Sequence, residues 1–381
     1  MNTKRKIVVN TRFLIKDKLE GIGYFTLETL KHITPSHPEV DFIFLFDRPY
    51  APEFIFSENI KPVVLFPPAR HPFLWYWWFE FSVANYLEKT KPDLFLSLDG
   101  YCSLRAETPT VTVIHDLAFE HFPEHVPFLV RKYYQYFVPK FAKHATRIAT
   151  VSEYSKQDIS EKYTIEQSKI DVVYSAAKEN FAPTEISIQK VIKEKYTQGK
   201  DYLLYVGAIH PRKNVGNMLL AFDQFKSQTN SNMKFLLAGA LGWQNEEVQT
   251  IYENMKHKTD VLFTGRQPLD ELTRIIGSAF AVLYVSLFEG FGVPPLEAMK
   301  CGVPVITSTT SSMPEICLDA ALLVNPASVN QITEAITKLS SDDNLRTSLI
   351  EKGILQAQKF TWENTASLLW ESCEKVMNQR T

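Results

Sequence analysis

Ala281-Val282-Leu283-Tyr284-Val285-Ser286-Leu287-Phe288-Glu289-Gly290-Phe291-Gly292-Val293-Pro294-Pro295-Leu296-Glu297-Ala298-Met299 passes from an apolar run through a glycine-bearing loop into a proline-led segment. The run Ala281 to Val285 has the length and β-branched content of a buried strand. Gly290 and Gly292 open the backbone at the strand exit, and Pro294 and Pro295 suit the first turn of a helix. A further apolar run, Val303 to Ile306, follows at once. Strand, loop, helix and strand in this order make a βαβ unit, which predicts a parallel sheet with crossover helices.

The same rhythm extends in both directions. Upstream in this half, strands are expected at Leu203 to Val206, Phe235 to Ala238 and Val261 to Phe263, and downstream at Ala321 to Val324. The first half repeats the pattern with apolar runs at Ile7 to Val9, Phe42 to Phe46, Val63 to Phe66, Leu94 to Leu98, Val111 to Ile114, Ile148 to Val151 and Val172 to Tyr174. Helical stretches separate them, among them Gly23 to Ile33, Leu74 to Lys89, Phe128 to Lys143 and Glu153 to Lys162. A polar, Lys/Glu-rich stretch divides the two series. The expected organisation is an α/β chain of two doubly wound, Rossmann-like domains, 1–177 and 201–358, with a linker at 178–200 and a terminal helix at 359–381. Ligands of open parallel sheets sit beyond the carboxyl ends of the strands, so two such domains facing one another are expected to enclose a cleft.

Composition agrees with a packed enzyme: 381 residues, 45% hydrophobic, 22% charged and a formal net charge of −2. That balance argues against a nucleic-acid-binding protein, whose phosphate contacts require a basic excess. Four cysteines, Cys102, Cys301, Cys317 and Cys373, stand far apart with neither CxxC pairing nor metal spacing, so no disulfide framework or zinc site is expected. The apolar stretch after Lys4-Arg5-Lys6 is too short for a signal peptide, and no run is long enough to span a bilayer; a cytoplasmic protein is expected.

Glu289 and Glu297 flank the glycine loop with seven residues between them. Carboxylates suit sugar and ribose hydroxyls, since each accepts from two neighbouring O–H groups; the alternative makes Glu297 a first-turn complement to the helix dipole and Glu289 a surface charge. Arg212-Lys213 follows the strand ending at Val206-Gly207 and precedes a helix, an arrangement that either binds a diphosphate or forms a solvated basic loop. Gly21-Ile22-Gly23 stands between a strand and a helix, as a close approach to phosphate or sugar or as a plain turn. His115-Asp116 ends another strand: His115 donates to a sugar oxygen, forms a base dyad with Asp116, or is a structural histidine. Finally, Phe73 to Phe81 carries Trp75, Trp77 and Trp78; such aromatics favour a membrane interface, but a run apolar on nearly every side reads first as a buried helix.

Together these residues resemble a retaining glycosyltransferase of family 4 on the two-domain GT-B architecture. The likeness covers nearly the whole chain, through Gly21 to Gly23, His115-Asp116, Val151-Ser152-Glu153-Tyr154-Ser155, Val206-Gly207 through Asn214, Glu289 to Glu297, and Cys301-Gly302-Val303-Pro304-Val305-Ile306. The resemblance implies donor-binding positions at Gly21, Gly23, Gly207, Arg212, Lys213, Glu289, Gly290, Phe291, Gly292, Val293 and Glu297, and catalytic positions at His115, Arg212, Lys213 and Glu289. Arg212 and Lys213 would take the diphosphate, Glu289 and the Gly290 to Gly292 amides the sugar, Glu297 the ribose, and His115 the sugar from the other domain. No cofactor or metal is implied, only a nucleotide-sugar co-substrate. The Ile209 to Asn214 wording is similar to bacterial mannosyltransferases of surface-polysaccharide assembly, which points to GDP-mannose ahead of a UDP-hexose, with a glycan or lipid-linked glycan acceptor and the inner membrane face as a candidate surface. A silent donor-binding scaffold and a nucleotide-sugar epimerase are the rival readings.

Overall fold

The computed structural model describes residues 4–240 and 246–378; the start of the expected segment 1–177, residues 241–245 of the expected segment 201–358 and the end of the expected segment 359–381 lie outside them. The chain divides into two compact units, one of Met1–Ser175 with Thr361–Thr381, the other of Ala176–Phe360.

The first unit is a seven-stranded parallel sheet. Its strands are β1 (Arg5–Asn10), β2 (Val40–Phe46), β3 (Ile60–Val64), β4 (Leu94–Ser97), β5 (Thr110–Val113), β6 (Arg147–Thr150) and β7 (Ile170–Val172), in the order β3-β2-β1-β4-β5-β6-β7. Helices α1 (Gly21–Ser36), α2 (Pro72–Trp77) and α3 (Phe128–His144) belong to its crossovers. The chain runs from β1 to β2 on one side and returns to β4 on the other, so the topological switch point lies between β1 and β4. The C-terminal helix Trp362–Met377 also packs here: Thr361 caps it, the Thr365 hydroxyl donates to the Tyr174 carbonyl at 2.7 Å, and Trp370 stacks on His37 at 3.6 Å between ring centroids. Its buried stripe includes Leu369, Cys373 and Val376, at i, i+4 and i+7.

The second unit holds six parallel strands, β8 (Tyr202–Val206), β9 (Lys234–Ala238), β10 (Val261–Gly265), β11 (Ala281–Tyr284), β12 (Val305–Ser308) and β13 (Leu322–Val324), in the order β10-β9-β8-β11-β12-β13. Here the switch point lies between β8 and β11. The stretch 178–200, expected as a linker, instead forms helix α4 (Ile186–Thr197) within this unit. Its many charges are solvated while Ile192 and Thr197 are buried, so one narrow face suffices to dock it. Helices α5 (Val215–Thr229) and α6 (Val293–Lys300) follow β8 and β11.

Several strands begin earlier than the apolar runs suggest, β3 by the most. β3 starts at Ile60 and contains Pro62, which is tolerated because β3 is an edge strand pairing with β2 alone. β7, at the opposite edge, begins at Ile170 and accommodates Asp171 through an ion pair with Arg147 at 2.7 Å. The helix expected at Leu74 to Lys89 forms with a π-helical turn inside it: α2 passes into Trp78–Val83 before resuming as α-helix at Ala84–Thr90. Trp78 and Phe79 point into the core, whereas Phe73, Leu74, Tyr76 and Trp77 are exposed. An extra residue in the turn rotates the following side chains to a new face, so a run apolar all round is buried on one side only.

Candidate active site

The loops leaving β8 and β11 meet at the switch point of the second unit. After Val206, the Gly207 N–H donates to the Ala238 carbonyl at 2.9 Å, and a 3₁₀ turn, Pro211–Lys213, presents the two cations. Asn214 then adopts a left-handed conformation at φ 59° and caps α5. Its buried side-chain amide donates to the carbonyls of Val285 at 3.0 Å and Pro326 at 2.7 Å, and the Leu287 N–H donates to the Arg212 carbonyl at 2.9 Å. These bonds fix the Arg212-Lys213 turn against the β11 exit without using either cationic side chain.

Both cations converge on Glu289. The Arg212 guanidinium donates through Nη1 to Glu289 Oε2 at 3.0 Å and to the Phe288 carbonyl, while Lys213 Nζ donates to Glu289 Oε1 at 2.7 Å. The Tyr284 hydroxyl, which accepts from Lys213 Nζ at 2.7 Å, donates to the same Oε1 at 3.0 Å. Burial pushes the Glu289 carboxyl up, but Lys213 and Arg212 outweigh it and hold the group down at about 2. Glu289 is therefore a fixed anion at neutral pH and a very weak base. Below it, its N–H donates to Ser311 Oγ at 3.0 Å, and the Ser312 hydroxyl donates to the carbonyls of Glu289 and Phe291.

Gly292, at φ 97°, supplies the left-handed residue ahead of α6. Val293 opens the helix, followed by Pro294 and Pro295, so of its first four residues only Val293 and Leu296 carry an N–H. The anion-facing amides expected of this helix start are thus fewer than usual, and the burden of charge falls on Arg212 and Lys213. Glu297 is buried one turn on, and burial pushes its carboxyl up to about 7 against the opposing pull of Lys178.

That shift fixes a dependence on pH. The native state holds a proton on Glu297 that the unfolded chain releases near its ordinary value of 4.5, so this contribution to stability is full below 4.5 and is lost as pH rises to about 7. Over that interval it amounts to about 3 kcal/mol. Glu297→Gln is expected to remove this slope and raise the thermal midpoint at pH 8 relative to the parent protein; calorimetry across the range checks it, and identical pH profiles would contradict it.

In the first unit, α1 begins at Gly21, and Gly23 lies so close to the chain before it that a Cβ would stand 2.8 Å from the Phe13 carbonyl oxygen. His115 Nε2 lies 2.9 Å from the Leu98 carbonyl, which only accepts, so Nε2 carries the proton. Burial pulls the His115 ring below its ordinary range, leaving it neutral with Nδ1 as an acceptor. The ring therefore presents an acceptor at Nδ1. The Asp116 carboxylate accepts from the Ala118 N–H at 2.9 Å. Phe25 of α1 packs edge-on against His115 at 4.9 Å, and Ser155 Oγ, from the helix capped by Ser152, donates to the His115 carbonyl at 3.4 Å. The glycine loop, His115 and the Ser152-Ser155 motif are thus assembled at one end of one sheet.

Sequence reasoning missed several positions. Tyr284 reads as a core strand residue, yet its hydroxyl completes the Glu289 cluster. A Cβ on Gly239 would lie 1.9 Å from the Gly207 oxygen, so close passage of the β8 and β9 exits requires glycine there. At the β1/β4 switch point Arg12 and Asp99 form a buried ion pair, with Asn10 donating to Asp99 at 2.9 Å and the Arg12 guanidinium 4.2 Å from the Tyr101 ring centre. The polar run Asn10-Thr11-Arg12 directly after an apolar strand was the available signal.

Comparison with known proteins agrees with this geometry. The family described as "Glycosyltransferase Family 4" matches residues 19–178, and "Glycosyl transferases group 1" matches residues 188–356. O-antigen chain mannosyltransferase B of Escherichia coli is 30% identical over 255 residues, 67% of this chain and 67% of that protein. The chain belongs to glycosyltransferase family 4. A second relative of this family 4 glycosyltransferase, the serotype-specific mannosyltransferase WbdA of Escherichia coli, is 27% identical over 283 residues; the match spans 70% of the chain but only 34% of WbdA. Among solved structures, sucrose-phosphate synthase from Thermosynechococcus elongatus superimposes with a TM-score of 0.78 at 16% identity, covering 98% of the glycosyltransferase and all of that chain, which establishes the two-domain GT-B fold. No helix among the described residues is long and apolar enough to cross a membrane.

Proposed function

We propose that this glycosyltransferase transfers a mannosyl residue from GDP-mannose to a glycan or lipid-linked glycan of a cell-surface polysaccharide, with retention of configuration and without a metal ion. The observation that carries the reading is the convergence of Arg212 and Lys213 on Glu289 at the β8/β11 switch point. As the bond between the sugar and the diphosphate breaks, negative charge grows on the leaving oxygen, and two positioned cations stabilise it most where water is excluded. They supply the electrostatics that a divalent ion supplies elsewhere. Mannose as the transferred sugar is supported by the names of the relatives, O-antigen chain mannosyltransferase B and WbdA.

A carboxyl held at about 2 takes no proton at neutral pH, and Lys213, Tyr284 and Arg212 already occupy its oxygens. Glu289 is accordingly assigned to positioning the sugar. The acceptor oxygen bonds to the anomeric carbon on the face from which the diphosphate departs, the bonding pair leaves with the phosphate oxygen, and that oxygen takes the acceptor proton. Glu297 accepts from the ribose hydroxyls.

The test is a product analysis with GDP-mannose, UDP-glucose or UDP-galactose, a mannose-terminated oligosaccharide and excess EDTA. Transfer from GDP-mannose giving an α-linked product by NMR is expected. A β-linked product contradicts retention, transfer only from a UDP-sugar contradicts the donor, and complete loss with EDTA contradicts the metal-free route.

A further inference from the structure

Tyr284 ends β11, whose other residues, Ala281, Val282 and Leu283, are aliphatic and buried. A strand buried on both faces asks only for an apolar side chain there. Phenylalanine would pack as well against Tyr205, whose ring lies nearly parallel at 6.3 Å between centroids. The hydroxyl that tyrosine adds is costly to bury unless it is bonded. Here it is bonded twice, each time to a charged group: it accepts from Lys213 Nζ at 2.7 Å and donates to Glu289 Oε1 at 3.0 Å. Burial and the nearby Glu289 charge push the phenol well above its usual range, so its one proton stays in place and faces the carboxylate. The neighbouring Tyr205 hydroxyl, by contrast, is spent on the Ala208 carbonyl at 2.9 Å.

The three groups close a triangle, because Lys213 Nζ also donates to Glu289 Oε1 at 2.7 Å. An ammonium carries three N–H donors on a flexible stem. With two of them committed to Tyr284 and Glu289, tetrahedral geometry fixes the direction of the third, which no described residue accepts. The triangle is anchored from below: the Thr307 hydroxyl donates to the Tyr284 carbonyl at 2.8 Å, and the Glu289 N–H donates to Ser311 Oγ at 3.0 Å. A diphosphate arriving at Arg212 and Lys213 draws both cations, which the Glu289 carboxylate holds in the unliganded protein. A neutral hydroxyl is drawn far less, so the Tyr284 bond outlasts that exchange and keeps Oε1 in place.

We propose that Tyr284 is a positioning residue for glycosyl transfer: one hydroxyl directs the remaining Lys213 N–H and holds the Glu289 carboxylate, and so fixes the diphosphate seat relative to the sugar seat. The inference rests on the reading of Arg212 and Lys213 as the diphosphate seat, and it requires neither mannose nor guanine.

The test is Tyr284→Phe, which removes one oxygen and keeps the ring on Tyr205. With a nucleotide sugar that the unaltered protein turns over, kcat is expected to fall about 10- to 100-fold, while the KM of the donor moves less than about threefold. On a Glu289→Gln background the same substitution is expected to cost less than about threefold, since the carboxylate that the hydroxyl holds is already gone. A tyrosine that merely packs the core costs the same in both backgrounds. A measurement without substrate separates this inference from the reading it rests on: ¹⁵N NMR of the lysine ammonium groups in the unliganded protein, with the Lys213 signal identified by its loss in Lys213→Ala. That signal is expected to be sharp in the parent protein and broadened by exchange with water in Tyr284→Phe. Unchanged kcat in the variant, equal losses in the two backgrounds, or an equally sharp Lys213 signal with and without the hydroxyl overturns the proposal. Broadening in a protein that turns over no nucleotide sugar supports the placement of Lys213 by Tyr284 and overturns the transfer reading instead.

Discussion

Arg212→Ala and Lys213→Ala are each expected to lower turnover by about 100- to 1000-fold while leaving the fold intact. The structure separates the two effects. The turn that carries these residues is tied down by Asn214, through the Val285 and Pro326 carbonyls, and by the Leu287 N–H on the Arg212 carbonyl. None of those bonds uses the guanidinium or the ammonium, so truncating a side chain leaves the loop in place. What disappears is a charge that interacts most strongly after the bond to the diphosphate has begun to break, so kcat falls further than donor affinity. Steady-state kinetics with the thermal midpoint as a fold control checks this; unchanged turnover in a folded variant contradicts it.

Glu289→Gln is expected to split binding from catalysis. In the unliganded protein the carboxylate holds both cations, so it competes with an incoming diphosphate for them. Removing its charge frees Arg212 and Lys213 for that ligand, and the variant should bind GDP at least as tightly as the parent. Turnover should nonetheless fall about 100-fold, because the sugar loses its positioning group. Stability should fall by about 2–3 kcal/mol, as two partly buried cations lose a charge-assisted partner. The pH signature has the opposite sense to that of Glu297. Glu289 is depressed from 4.5 to about 2, so its contribution is full above 4.5 and is lost as pH falls through about 2; the variant lacks that acid-limb loss. Calorimetric titration with GDP, turnover and acid unfolding together check the prediction, and weaker GDP binding with proportionate loss of turnover contradicts the competition.

The fold was legible because parallel strands are buried on both faces and stand out as short apolar runs. Each of the thirteen strands among the described residues overlaps such a run. The errors fall where another force sets the boundary. Pro62 hides the start of an edge strand, and β12 extends past Ile306 because Thr307 and Ser308, polar in sequence, donate to the buried carbonyls of Tyr284 and Ser286. The π turn at Trp78–Val83 was not legible at all, since a run apolar on every side has no phase to read.

The second unit's site was legible in its loops and illegible in its partnerships. Glycines, prolines and charges near a strand exit announce themselves locally, but Arg212 and Glu289 are 77 residues apart, and only the sheet order brings β8 beside β11. Tyr284 was hidden by its own hydrophobicity. Arg12 and Asp99 are 87 residues apart; the polar run Asn10-Thr11-Arg12 marks one side, but the pairing at the first unit's switch point emerged only with the sheet.

The most direct test of the diphosphate seat is the thermal midpoint of the purified protein and of Arg212→Ala in the presence of GDP, GDP-mannose, UDP and UDP-glucose, because a ligand that binds the native state raises its midpoint. A rise with GDP and GDP-mannose is expected in the parent protein, and it shrinks sharply in Arg212→Ala. An equal rise in both proteins would place the diphosphate elsewhere, and a rise confined to the uridine compounds would keep the seat but contradict the donor.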